Sequence, residues 1–473
     1  MNPDWLEKLP TDDPLAAQDV ALRHLGELSA QGAERLQWLV TVDTALRPHA
    51  DLLTERYVGT RRLPAEDKVR IWEAGHEFHK QLALAYRACL PGLSDRTVPA
   101  TEAPALVARA LYHHARAATW CHFRYVSVPV GWWLGTHKLY ALAERENFAT
   151  KPVSLYNNDA PASCASLYMK MLLLDTPNRT NMTERQIENL DRWLQPWSVQ
   201  TELEREYRED EQQFFVDLSL DQGGHRIRNF EPTPDRRYWG TDTIIAGIES
   251  LLDTGDSENP EDYLEPEILR QLHTEWSRSS YRRQRRINER DEVVKQAAVA
   301  NGIYAVCQEV RSQAVGGASM EPEGELWRIE NESLYGFGAE VRTELNAWLK
   351  VGRLIALREE MNMGMSMIGV VRSLKHHEEG KVYVGVEILS HMALYGSLHD
   401  MDGTVPSSQS FPGVYLSSDD ERGQASSLLL PAIEYQPGAE LYLKVDRRVH
   451  HIRLSRLMEQ KDDWVRVEVE VLG

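Results

Sequence analysis

Cysteine is scarce in this chain. Its 473 residues hold four, Cys89, Cys121, Cys164 and Cys307, and none forms a C-x-x-C pair. That excludes a disulfide framework and a thiolate zinc site of the usual spacing, and leaves buried thiols in a reducing cytoplasm as the expectation. Long apolar runs are missing as well. No stretch approaches the roughly 20 apolar residues a membrane helix needs, so no membrane span is expected. The first eight residues lack the basic start and apolar run of a signal peptide. Positive charge is in deficit: 53 Lys and Arg against 72 Asp and Glu leave a net charge of −19. Most of such a surface repels a phosphate backbone, which argues against a partner that is a nucleic-acid polymer. Phosphate-cradling glycine loops, the G-x-S-x-G elbow and the kinase signature are absent. The acidic residues show no spacing that singles out a general acid and base. A cytoplasmic, multidomain protein without catalytic residues, metal or cofactor is the reading.

Against the deficit stands one local excess. Six arginines, Arg278, Arg282, Arg283, Arg285, Arg286 and Arg290, crowd into thirteen positions. Each guanidinium is a planar fork that grips phosphate, or the O6/N7 edge of guanine, with two bonds at once. Further on, Trp327 to Gly336 reads as an apolar strand ending in Asn331-x-Ser333-x-x-Gly336. The Asn and Ser are short polar arms at a strand end, and the Gly lets the backbone turn where a Cβ would obstruct a ligand. By itself the arginine run could equally be a solvated segment balanced by Glu275, Glu289, Asp291 and Glu292.

Together these residues resemble the PilZ domain, the bacterial receptor module for cyclic di-GMP, with its R-x-x-x-R and [D/N]-x-S-x-x-G. The resemblance covers roughly residues 278 to 390. Leu349–Ile355 resembles that family's strand after the turn, and Ile368–Arg372 with Val382–Leu389 its closing hairpin. It implies a small six-stranded barrel that binds cyclic di-GMP outside its wall. Arg282, Arg285, Arg286 and Arg290 would lie on the entering segment, facing Asn331, Ser333 and Gly336. Three R-x-x-x-R registers fit; Arg286/Arg290 is preferred, because Arg285-Arg286 supplies the doubled arginine common in the family. The stretch from Arg290 to Asn331 is longer than usual, and Arg311–Pro322 reads as an inserted loop. That departure keeps a second reading open, a PilZ-like scaffold that has lost its nucleotide and serves protein interaction.

The rest of the chain sets the architecture. Ile71, Phe78, Leu82, Ala85 and Cys89 recur at helical spacing between Pro64 and a closing Pro91. Thr101 is placed to cap a helix running towards Trp120. Thr183 and Gln186 form a capping box for a helix that Pro196 should stop, and Leu167–Leu174 reads as buried helix. Trp120, Trp132, Trp133, Trp193 and Trp197 read as core. Phe214–Leu220 is a strand candidate. The expected class is α+β: a mainly helical region at 1–252 that serves as output or docks a protein partner, and an acidic linker with a short helix at 253–276. A PilZ-like antiparallel barrel at 277–390 follows, then a β-rich extension or second small barrel at 391–473. Trp464–Val471, alternating apolar and charged, predicts a half-buried strand, and Leu441–Val445 another after the Pro437-Gly438 turn. His76, His79, His113 and His114 lack metal spacing and read as helix-surface residues. His376-His377 and His450-His451 read as turns. Alternating Met361, Met363, Met365 and Met367 read as one face of a strand.

Overall fold

The computed structural model describes residues 5–10, 13–26, 30–59, 63–157, 159–228, 232–254, 264–278, 291–314, 326–359, 366–378, 380–402, 405–418, 425–445 and 448–472. The chain divides into two compact units, Met1–Arg285 and Arg286–Gly473.

The first unit runs through α1 (Pro14–Gly26), α2 (Gly32–Gly59), α3 (Ala65–Arg87), α4 (Pro91–Ser94), α5 (Ala103–Phe123), α6 (Trp132–Arg145), α7 (Cys164–Asp175) and α8 (Glu184–Gln200). Three short strands follow, β1 (Phe214–Asp217), β2 (His225–Arg226) and β3 (Arg236–Trp239), paired in the order β2-β1-β3, then α9 (Asp242–Thr254) and α10 (Pro266–Trp276). The axis is α5, in which only Ala105 and Tyr112 escape full burial. Its many alanines let α3, α6, α7 and α8 pack around it; a helix buried all round belongs at the centre of a core. The predicted tryptophans pack there too, Trp120, Trp132, Trp133 and Trp193 fully and Trp197 in part.

Helix ends show where local signals are decisive. The box at α8 forms in both directions: Gln186 N donates to Thr183 Oγ1 at 3.2 Å and Thr183 N to Gln186 Oε1 at 2.8 Å. Pro196 does not stop this helix, which continues to Gln200. The carbonyl it leaves without an amide is that of Arg192, whose side chain is 59% exposed, so the lost bond falls on the solvated side. Thr101 is no cap; it lies in a single 3-10 turn, and Glu102 precedes α5 with no side-chain bond. Pro91 does not close α3, which ends at Arg87, but opens α4, where a missing N–H costs nothing. All four cysteines are buried and unpaired, and burial pushes Cys121, Cys164 and Cys307 up to about 12. The linker candidate at 253–262 lies outside the described residues except for Asp253 and Thr254, which close α9.

The second unit begins with β4 (Asp291–Asn301) and α11 (Ile303–Ala314), then β5 (Trp327–Ser333), β6 (Gly336–Arg342), β7 (Leu354–Glu359), β8 (Met367–Glu378) and β9 (Lys381–Ser390). The strands close a barrel in the order β4-β5-β6-β9-β8-β7. The tail builds another. Strands β10 (Ala393–Asp402), β11 (Val405–Leu416), β12 (Ser427–Pro431), β13 (Glu440–Val445), β14 (Arg448–Gln460) and β15 (Trp464–Val471) close in the order β10-β11-β12-β15-β14-β13. All pairings are antiparallel, so the α+β expectation holds. Period 2 sets the faces: Phe337, Ala339 and Val341 of β6, with Val382, Val384 and Val386 of β9, are buried in the first barrel. Between the barrels, Ile303, Val306, Cys307 and Val310 of α11 pack with Leu354, Ala356, Ile368 and Val370 of the first and Val414, Leu416, Leu429 and Trp464 of the second.

Several strand expectations shift. Gly352, at φ +83°, turns the chain before β7, so that strand starts at Leu354 and not at Leu349. Arg311–Ala314 is not loop but the last turn of α11. His376-His377 belong to β8 and His450-His451 to β14, because both barrels have strands long enough to absorb them. Arg466, on the charged face of β15, is buried with its Nε 2.9 Å from Ser427 Oγ. Met367 opens β8, while Met361, Met363 and Met365 lie outside the described residues. No helix among the described residues is long and apolar enough to cross a membrane.

Candidate functional site

The motif Asn331-x-Ser333-x-x-Gly336 occupies the hairpin between β5 and β6. Ser333 pairs with Gly336, so Leu334 and Tyr335 alone make the turn. The Ser333 hydroxyl donates to the Gly336 carbonyl at 3.0 Å and closes it. A register shift between Ile329 and Asn331 sets the faces of β5. Glu332 stands opposite Phe337 and Ile329 opposite Ala339, so both point with those buried residues towards the barrel interior. Asn331 and Ser333, alternating with Glu332, face the outer wall, as do Gly336 and Gly338 on β6. Across β6, Gly338 pairs with Gly385 of β9. Three glycines thus floor this stretch of wall. A Cβ on Gly336 would stand 2.6 Å from the Val386 carbonyl oxygen, so the motif glycine is demanded by close strand approach.

The arginine candidates Arg282, Arg285, Arg286 and Arg290 lie outside the described residues. The strand that follows them in the chain is β4, whose first residue, Asp291, pairs with Glu332, and whose second, Glu292, pairs with Asn331. Arg290 therefore immediately precedes a strand registered on the motif itself. On the interior side of the same strand end, Lys295 Nζ donates to Glu332 at 2.7 and 2.8 Å and to Glu359 at 3.3 Å. These carboxylates raise the lysine's pKa. They rim a cavity of about 560 Å³ that opens beside Ser333 and Leu334 over Ile329, Phe337, Leu357 and Ile388.

Sequence reasoning missed Tyr383, whose hydroxyl receives a hydrogen bond from Asn331 Nδ2 at 2.5 Å. The signal was present as a second glycine, Gly338, two residues past the motif. A Cβ there would lie 1.8 Å from the Tyr383 hydroxyl oxygen and 2.5 Å from Cζ.

The helical unit holds a second polar constellation, whose histidines the sequence reading placed on the helix surface. His79, His113 and His114 are buried. Asp43 of α2 accepts hydrogen bonds from Tyr86 and Tyr156, each at 2.8 Å, and from Arg109, with His113 Nε2 3.2 Å away. Burial would raise its pKa, but His113 and Arg109 beside it outweigh that and hold the carboxyl well below its ordinary value. His79 and His113 share a 3.0 Å contact between their Nδ1 atoms. Burial keeps His79 and His122 neutral and pushes His114 down to about 3. Alongside, Arg116 bridges Glu188 and Asp191, each at 3.1 Å, and Lys170 joins Asp191 at 3.0 Å. Among the described residues no three His, Cys, Asp or Glu side chains form a metal's ligand set. The network locks α2, α3, α5, α7 and α8 together. Its sequence signal was a charge on an apolar stripe: Asp43 falls among Leu39, Val42 and Leu46, all buried.

Residues 3–209 match a family model described as the N-terminal domain of the cyclic-di-GMP receptor FimW. The matched stretch takes in Asp43, Arg109, His113, Arg116, Glu188 and Asp191. It covers the helices and not the 278–390 stretch that resembles PilZ, so family likeness is not confined to the C-terminal half. Comparison with curated proteins gives no match, and comparison with solved structures gives none.

Proposed function

We propose that this protein is a cyclic di-GMP receptor whose ligand site lies on the outer wall of the first barrel. The observation that carries this reading is the match of its helical unit to a receptor family named for that nucleotide. The registration of β4 on the N-x-S-x-x-G hairpin supports it, since an arginine-rich segment leads straight into that wall. In this reading Arg286 and Arg290, with Arg282 and Arg285 behind them, clamp the two phosphates and the guanine edges, while Asn331, Ser333 and Gly336 form the facing floor. Five like charges, Arg282, Arg283, Arg285, Arg286 and Arg290, repel one another, and the ligand's two phosphates relieve that repulsion. Because this segment follows α10 in the chain, ligand binding to it is passed on to the helical unit, which presents the signal to a protein partner. No catalytic step is part of this role.

Calorimetric titration with cyclic di-GMP tests it. The wild type should bind, and Arg286→Ala or Arg290→Ala should each cost on the order of 2 kcal/mol, with Arg283→Ala milder. Equal small losses at all six arginines would make the segment a diffuse charge and refute the clamp. No binding by the wild type would leave a PilZ-like interaction scaffold as the better description.

A further inference from the structure

Tyr383 belongs to β9, yet its hydroxyl meets Asn331 on β5, with β6 lying between. Neighbouring strands are about 4.8 Å apart, so the ring must cross a whole strand to make that bond. It can do so only because the crossed position is Gly338: a Cβ there would collide with the hydroxyl and the ring, and would stand 3.0 Å from Asn331 Nδ2. The partner of Gly338 on β9 is again a glycine, Gly385, and Tyr383 itself pairs with Glu340. A polar arm of the motif is thus held by a side chain far away in sequence, through a gap kept open by one glycine. Surface asparagines sample several rotamers, and fixing one costs entropy whenever it binds; a partner that fixes it beforehand removes that cost.

We propose that Tyr383 is a positioning residue of the nucleotide site, acting on the ligand through Asn331, with Gly338 conserving the passage for its ring within this fold. The inference rests on the receptor reading above. It explains an observation which that reading leaves open, namely why a glycine beyond the motif is in tighter contact than the motif glycine itself.

The test is a double-mutant cycle on the full chain, read by cyclic di-GMP titration with thermal midpoints as the fold control. Tyr383→Phe keeps the ring and removes only the hydroxyl, so the fold should persist and affinity should fall about fivefold, the scale of one neutral hydrogen bond. In an Asn331→Ala background the same change should have no further effect, because the residue it acts through is gone. Gly338→Ala, which displaces the ring, should weaken binding at least as much as Tyr383→Phe. Undiminished affinity in Tyr383→Phe overturns the proposal, as does an equal loss in both backgrounds. Absence of binding in the wild type would instead overturn the receptor reading and take this inference with it.

Discussion

The second unit contains the same barrel twice. Numbering each set of strands one to six along the chain, both close in the order 1-2-3-6-5-4, all antiparallel. Their equivalent places carry different chemistry. In the chain, five arginines between positions 282 and 290 precede the first barrel, whereas no arginine occurs between Arg372 and Arg422, the stretch that precedes and opens the second. Strands two and three of the first barrel are joined by the two-residue turn of the N-x-S-x-x-G hairpin; those of the second are separated by ten residues between Leu416 and Ser427. The fold is thus a neutral carrier. What differs between the two barrels is one loop and the sequence that precedes each, the places where function is commonly grafted on a scaffold.

The strongest test of this comparison asks whether the barrels are separate at all. Trp464 opens the last strand of the second barrel, is fully buried against α11 and residues of the first, and donates its indole N–H to the Gly352 carbonyl at 3.1 Å. Trp464→Ala should cost about 3–5 kcal/mol, the usual penalty for emptying an aromatic core site. Both barrels should lose protection together in hydrogen exchange. Protection lost from 393–472 alone would show two independent modules, and the second could then be called a passive appendage.

A second small barrel was one of the two readings of 391–473, but that it repeats the strand order of the first was not legible, for a physical reason. A β-barrel needs only alternation and turns, and these can be met by many side chains, so two copies of one topology need share no residues. Trp464–Val471 and Leu441–Val445 were legible because they alternate cleanly, while α11 was not read as a helix and its last turn, from Arg311, was taken for loop. In the helical unit, Pro266–Trp276 and the Thr183 box were legible because capping and periodicity are local. The burial of His79, His113 and His114 was not, since their partners Asp43, Thr136 and Tyr86 come from other helices. The same holds for the candidate site: Asn331, Ser333 and Gly336 were proposed from spacing, but Tyr383 is 52 positions away from the asparagine it bonds.

A smaller effect is expected at the polar seam joining the barrels. Arg372 of β8 reaches Glu459 of β14 at 2.5 and 2.9 Å and Glu387 of β9 at 2.7 Å. Burial opposes the charge on Glu459, but Arg372 and Lys461 prevail and hold its pKa below the ordinary value. A carboxyl depressed in the folded state contributes stability above its unfolded pKa and loses it as pH falls through the folded one. Arg372→Met should therefore destabilise the unit by about 2 kcal/mol at neutral pH. The penalty should shrink as the solution is acidified below the ordinary glutamate range, measured by chemical denaturation at stepped pH. A penalty that stays constant with pH would assign the loss to packing and leave the seam without an electrostatic role.

The smallest effect expected is also the one that separates the two faces of the first barrel. Glu332 sits inside the motif, between Asn331 and Ser333, yet strand alternation and its pairing with Phe337 direct it to the interior side, where it meets Lys295. If the nucleotide occupies the outer wall, a negative charge at Glu332 is turned away from the phosphates. Glu332→Gln should then leave affinity for cyclic di-GMP within about twofold and cost under about 1 kcal/mol of stability, as partly exposed ion pairs do. That small loss should fade further as salt is raised. Were the ligand seated instead in the cavity over Ile329 and Phe337, removing this carboxylate from its rim would relieve repulsion and strengthen binding several-fold, more so at low salt. One titration at two ionic strengths decides between wall and mouth. A several-fold gain would move the site to the barrel's open end, and the contrast between the two barrels would rest on the cavity and no longer on the hairpin.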